Sequence, residues 1–421
     1  MPAHPEKRCN FCNRPRNEVK HLVAADGDGA AICDRCIANM GDVLAKVRPG
    51  DKALQVRVRK PREIAAHLSE SVVSQDEAKR ELAIAVYEHY RRRDILHAGG
   101  SLMVDGEPVE VEKSNILMLG PSGSGKTALA RAVAKLIDVP FYVGDATRLT
   151  QAGYIGDDVE SLLQGLLAAA GNDVERAQWG IIFLDEFDKL ARKSGRSLSG
   201  YRDVSGEGVQ QALLKLMEGS VVPVTRGRAV SSGPREKEMI DTTNILFICA
   251  GSFAGIEKTI EQRLNKGARL GFGNELRIEC SSAELSRQVT VDDIQEFGLI
   301  PELVGRLPVM TSTQELTEEE LVEILTKPKN SVCKQFRALY LLDGIELVFY
   351  PEALHEIARV AKLRATGARA LRSIMKTVLK PYSYDAPTDL DIIEIHITEE
   401  AVRTPGNGQV VRKSRRSRKH A

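Results

Sequence analysis

The sequence predicts an α/β nucleotide-binding domain preceded by a small four-cysteine module and followed by a smaller, mainly helical domain. Three observations carry that expectation. Residues 120–127 read Gly-Pro-Ser-Gly-Ser-Gly-Lys-Thr, an apolar run at 181–184 ends in Asp185 and Glu186, and two Cys-x-x-Cys steps supply Cys9, Cys12, Cys33 and Cys36. At 421 residues the chain holds two or three domains, and 43% hydrophobic content suffices for sizeable cores. A net charge of +1 gives no global attraction to nucleic acid or anionic membranes. Residues 1–10 are polar, without an apolar signal core. No apolar run approaches the roughly 20 residues a membrane helix needs, so a cytoplasmic location with no membrane partner is expected.

From the N-terminus, residues 1–46 read as a zinc-binding module. Twenty residues separate the two Cys-x-x-Cys steps, a spacing suited to one tetrahedral ion held by four thiolates. So short a segment buries too little apolar surface to fold without such a staple. Two disulfides or a redox pair are the competing readings, and a reducing compartment disfavours them. Residues 47–61 are rich in Pro, Lys and Arg and read as a linker.

Residues 62–312 then alternate strand candidates (115–119, 180–184, 244–250) with helical stretches such as 128–137 and 209–218, the pattern of a parallel sheet covered by helices. Residues 313–403 turn helical at 315–326, 331–340, 351–361 and 368–379, with a strand candidate at 392–397. Residues 404–421 open with Pro-Gly-Asn-Gly and end in six Lys/Arg between Arg412 and Lys419, so a basic disordered tail is expected.

The chemistry concentrates in the first two motifs. Gly120, Pro121, Ser122, Gly123, Ser124 and Gly125 form a phosphate-binding loop. Lys126 would reach the β/γ-phosphates, Thr127 would offer its hydroxyl to Mg²⁺, and Ala128 opens a helix whose N-terminus faces the phosphates. Asp185 would hold the metal's water shell, while Glu186 would orient and polarise a water for in-line attack. Loop and acid pair together imply an ATPase using ATP and Mg²⁺. An isolated glycine-rich turn or solvated acidic strand end is the bland alternative, and finding both at this spacing disfavours it.

With these stand Gly153-Tyr154-Ile155-Gly156, Arg202-Asp203-Val204-Ser205-Gly206-Glu207-Gly208, Gly305-Arg306-Leu307-Pro308 and Gly367-Ala368-Arg369. Over nearly everything from Cys9 to Pro387 the combination resembles the ClpX family of AAA+ unfoldases. The resemblance implies a homo-hexamer that threads unfolded or tagged proteins, some brought by adaptors, into a ClpP-type peptidase, with zinc modules capable of self-association. It further implies that Val72 and Val73 line the adenine pocket, that Arg306 acts on a neighbouring subunit's γ-phosphate, and that Arg369 senses nucleotide from the small domain. Tyr154 and Ile155 would grip substrate in the pore, and Leu270, Gly271 and Phe272 would dock on the peptidase.

Departures matter too. Segment 226–234 lacks the Arg-Lys-His usual in the family's entrance loop, Leu270 stands for isoleucine, Ser74 stands for a glycine, and the basic tail has no counterpart in the pattern. These differences point to a divergent copy. The alternative function is a nucleic-acid-associated AAA+ ATPase, for which a zinc module and basic tail would follow a phosphate backbone. Against it, the module lacks a dense basic face with interleaved aromatics, and the pore segment offers tyrosine instead of lysine or arginine. A binding module with a dead nucleotide site is disfavoured because Lys126, Asp185, Glu186 and Arg306 are all present.

Overall fold

A computed structural model describes residues 8–24, 31–37, 39–40, 59–97, 101–150, 157–192, 206–225, 237–268, 282–364 and 366–412. The chain divides into two units, Met1–Gln55 and Val56–Ala421. In the first, strands Leu22–Ala24 and Ala31–Cys33 pair antiparallel, with Leu22 opposite Cys33. Among its described residues only Cys9, Ala31 and Cys33 are buried, so sulfur takes the place of an apolar core.

The second unit is built on five parallel strands. These are β1 (Ile116–Leu119), β2 (Phe141–Asp145), β3 (Ile181–Asp185), β4 (Leu246–Gly251) and β5 (Val309–Ser312), arranged β5-β1-β4-β3-β2. Ile248 pairs with Ile116 on one side of β4 and with Phe183 on the other. Strands β1, β3 and β4 are almost wholly buried and apolar on both faces, as a sheet covered by helices requires. Helices α1 (Pro61–Ser71), α2 (Asp76–His97), α3 (Lys126–Ile137) and α4 (Glu207–Glu218) pack around this domain. In α3 the buried positions Leu129, Ala130, Val133, Ala134 and Ile137 recur at helical spacing and seat it on the core. Pro61 opens α1 at the first helical position, where a missing N–H costs nothing.

After β5 the chain builds a second core of its own. It comprises α5 (Glu318–Thr326), α6 (Val332–Leu342), strand β6 (Glu346–Phe349), α7 (Pro351–Leu363), α8 (Ala368–Asp385), strand β7 (Ile392–Ile397), α9 (Glu399–Arg403) and strand β8 (Gln409–Arg412). Thr317 and Glu320 close a reciprocal capping box at the start of α5. One expectation is corrected here. The segment read as a disordered tail from residue 404 contributes β8, which pairs antiparallel with β7 and places Val410 opposite Ile395. Backbone pairing holds this strand although its side chains are exposed, which is why composition hides it. Residues 413–421 lie outside the described residues. Strand β6, parallel to β7, was likewise not legible as a strand. Among the described residues no helix is long and apolar enough to cross a membrane.

Candidate nucleotide site and metal module

Strands β5, β1 and β3 of the parallel sheet deliver the site at their C-terminal ends, where ligands of such sheets bind. From β1 the chain turns through residues 120–125 into α3, and Gly120, Gly123 and Gly125 take φ values of 136°, 79° and 103°. Only glycine adopts these without strain, and at Gly120 and Gly123 there is no space for more. A Cβ on Gly120 would collide with the carbonyl of Thr313, and one on Gly123 with the carbonyl of Thr366. The loop is thus clasped between the residue after β5 and the residues before α8. Ser124 completes the clasp, its Oγ 2.6 Å from Thr313 Oγ1.

Lys126 is buried, and its Nζ donates to the carbonyl oxygens of Gly120 at 2.6 Å and Pro121 at 2.8 Å. Burial pulls its pKa down to about 8, against the raising pull of the Asp185 carboxylate. A cation already stripped of much of its water favours an anionic partner such as phosphate. Thr127 Oγ1 lies 3.4 Å from Asp185 Oδ2, so hydroxyl and carboxylate share the place where a hard cation would take oxygen ligands. Ala128 is exposed on the first turn of α3.

At the tip of β3, Glu186 sits in the left-handed region at φ 56°, its N–H donating to Asp185 Oδ1 at 3.0 Å. From the small domain, Arg369 donates to Ser122 Oγ at 3.1 Å and lies 3.7 Å from Asp185 Oδ2. Between loop and small domain lies a cleft of about 160 Å³ lined by Pro121, Ser122, Gly123, Leu316, Lys362 and Gly367 among others. Cradle, desolvated lysine, acid pair and cleft suit a nucleoside triphosphate with its cation.

Not every expected residue converges there. Val72 is buried, its Cγ1 3.6 Å from where a Cβ on Gly125 would be, and Val73 is half-buried; neither lines the cleft. Arg306 pairs instead with Glu218 at the end of α4, Nη2 to Oε1 at 3.0 Å. Tyr154, Ile155, Leu270, Gly271, Phe272, residues 202–205 and segment 226–234 lie outside the described residues.

Some contacts escaped sequence reasoning. Gln75 donates to the carbonyl of Gln314 at 2.9 Å and accepts its N–H at 2.8 Å, tying the turn before α2 to the segment joining the two domains. Ser74, at φ 56°, donates from its hydroxyl to Glu320 of α5. Its departure from the glycine pattern was the available signal, and Lys362 gave none.

In the N-terminal unit the four sulfurs of Cys9, Cys12, Cys33 and Cys36 lie within 4.8 Å of one another, and all four cysteines are free of disulfides. Cys12 and Cys33 Sγ are 3.6 Å apart. Thiolates about 2.3 Å from a shared tetrahedral zinc stand roughly 3.8 Å apart, so this donor set fits that ion.

Family models match in the same order. That for the ClpX C4-type zinc finger covers residues 7–46, that for the AAA domain (Cdc48 subfamily) residues 111–310, and that for the C-terminal D2-small domain of ClpB residues 316–402. The chain is 44% identical over 402 residues to the ATP-dependent Clp protease ATP-binding subunit ClpX of Azotobacter vinelandii, spanning 92% of this chain and 89% of that protein. This chain belongs to the ClpX family. Likeness to the same-named subunit of Treponema denticola is again 44%, over 389 residues and 90% of each chain. The ClpX assignment makes the large domain an AAA ATPase domain and the four-cysteine unit a ClpX zinc finger.

A prediction follows for that finger. Chelating zinc, or changing Cys9 and Cys12 to serine, should unfold the module up to about Met40 and leave basal ATP hydrolysis within about twofold, because the ATPase unit has its own packing. Proteolytic mapping alongside phosphate release tests this. Protection unchanged by chelator, or purified chain without zinc, would reject the structural metal.

Proposed function

We propose that this chain is an ATP-driven protein unfoldase that works as a hexameric ring and threads substrates toward a ClpP-type peptidase. The observation that best supports the reading is Arg369. It belongs to the small domain yet bonds the phosphate loop at Ser122 and faces Asp185, so the state of a bound nucleotide would alter the angle between the domains. Repeated change of that angle is how hydrolysis would become pulling.

In this reading the loop N–H groups and Lys126 hold the β- and γ-phosphates, while Val72 packs behind the loop toward the adenine side with Val73. Thr127 and Asp185 hold Mg²⁺, which when bound neutralises phosphate charge. Glu186 accepts a hydrogen bond from the attacking water and draws off its proton. Arg306 serves the neighbouring subunit: breaking its exposed pair with Glu218 costs about 0–1 kcal/mol, which leaves it available to a phosphate. Tyr154 and Ile155 grip extended polypeptide by apolar contact, which tolerates varied sequence.

Comparing ATPase stimulation by an unfolded protein with stimulation by single-stranded DNA tests the class of substrate. The reading expects the first and not the second, and the reverse would favour the nucleic-acid alternative.

Leu270, Gly271 and Phe272 are proposed as the peptidase-docking tripeptide. Each apolar side chain buried in a partner contributes roughly 1.5 to 3 kcal/mol, multiplied in effect by the copies in a ring. Phe272→Ala should abolish stable peptidase association while the melting temperature and ATP hydrolysis stay near the parent's. A lowered melting temperature with binding retained would place Phe272 in a core instead.

A further inference from the structure

Three residues beyond Asp185, the chain carries a third acid, one that the mechanism above does not use. Asp188 is buried, with its side chain 2% exposed. It lies in the short 3-10 turn Phe187–Leu190 that Glu186 caps from its left-handed conformation. Both carboxylate oxygens are engaged. Oδ1 accepts the backbone N–H of Ser252 at 3.1 Å, and Oδ2 accepts the Ser252 hydroxyl at 3.0 Å and Lys189 Nζ at 2.7 Å.

Ser252 is the first residue beyond β4, the strand hydrogen-bonded to β3. The next residue, Phe253, is fully buried and also left-handed at φ 48°, an unusual conformation for a bulky side chain. Two strained turns therefore stand side by side at the ends of adjacent strands, and Asp188 bonds one to the other. The fit is close: a Cβ on Gly251 would come 2.6 Å from Asp188 Oδ1 and 2.9 Å from Asp188 N. Strain of this kind persists only where surrounding contacts over-determine it, and it gathers at functional sites.

We infer that Asp188, anchored on Ser252, is a positioning residue that holds Glu186 at the angle hydrolysis requires. The inference rests on the proposed role of Glu186. Without the pin, the turn following Asp185 is free to relax out of the left-handed region. Glu186 then spends most of its time misaimed, while the loop, Lys126 and Thr127 still hold nucleotide. The hydrogen bonds carry the effect, because an amide at 188 can still accept the Ser252 N–H and can donate to its hydroxyl.

The experiment measures steady-state hydrolysis and equilibrium ATP binding for Asp188→Ala, Asp188→Asn, Ser252→Ala and Ser252→Thr in the full chain. Asp188→Ala should lower kcat by about tenfold or more with the ATP dissociation constant within about twofold, since only transition-state alignment is lost. Asp188→Asn should restore most of the rate. Ser252→Ala should fall between, and Ser252→Thr, which keeps the hydroxyl, should outperform it.

An Asp188→Ala rate within twofold of the parent would overturn the inference. So would an Asp188→Asn variant as slow as Asp188→Ala, or a fall in ATP affinity matching the fall in rate. If Asp188→Ala does not fold, equal rates for Ser252→Ala and Ser252→Thr overturn it alone. Glu186→Gln separates the two readings: if that variant hydrolyses normally the role of Glu186 itself fails, whereas its inactivity beside a fully active Asp188→Ala removes only the pin.

Discussion

Glu186→Gln should bind ATP with near-parental affinity and hydrolyse it about 10² to 10⁴ times more slowly, the usual loss when a positioned base is removed. The amide keeps the shape of the side chain and the left-handed turn beneath it, whose N–H bonds Asp185 Oδ1. What it would lose is the charge proposed to draw a proton from water. Phosphate release measured beside ATP binding checks both halves, and parental turnover would remove Glu186 from the chemistry.

The second large effect is expected at Arg306. Arginine fingers contribute about 10³ to 10⁵ in rate, so Arg306→Ala should nearly silence hydrolysis. Its structural cost should be small. The side chain is half exposed, and its ion-pair partner Glu218 is comparably open. A pair of that kind contributes about 0–1 kcal/mol, so the melting temperature should hardly move. Because the proposed action is across a subunit boundary, mixing Arg306→Ala with Glu186→Gln chains should recover activity at interfaces where an intact arginine meets an intact glutamate. No recovery on mixing would assign Arg306 to its own chain or to structure.

Much of this site was readable from residues alone, for a physical reason. The loop, Lys126, Thr127 and the acid pair are local in sequence, and strands β1, β3 and β4 are apolar on both faces, so each announces itself as an unbroken run. Strands β2 and β5 do not. Phe141–Asp145 is half exposed along most of its length, and Val309–Ser312 buries the polar residues Thr311 and Ser312, so neither gives a clean pattern.

Contacts between distant segments were the least legible. Asp188 and Ser252 lie 64 positions apart, Gln75 and Gln314 lie 239 apart, and only the folded sheet brings each pair together. The resemblance put Arg369 on the nucleotide, and the geometry adds its contact with Ser122 and its approach to Asp185. Arg306 shows the converse: its motif is plain in the sequence, yet within one chain its partner is Glu218.

The central claim is that ATP hydrolysis here does mechanical work on folded protein. The most direct test fuses an unstructured tail to a stably folded fluorescent protein and follows its signal with this chain present, together with a trap that captures unfolded product. The account predicts that fluorescence decays with ATP and holds steady with a non-hydrolysable analogue or with Glu186→Gln. Steady fluorescence while ATP is being consumed would contradict it.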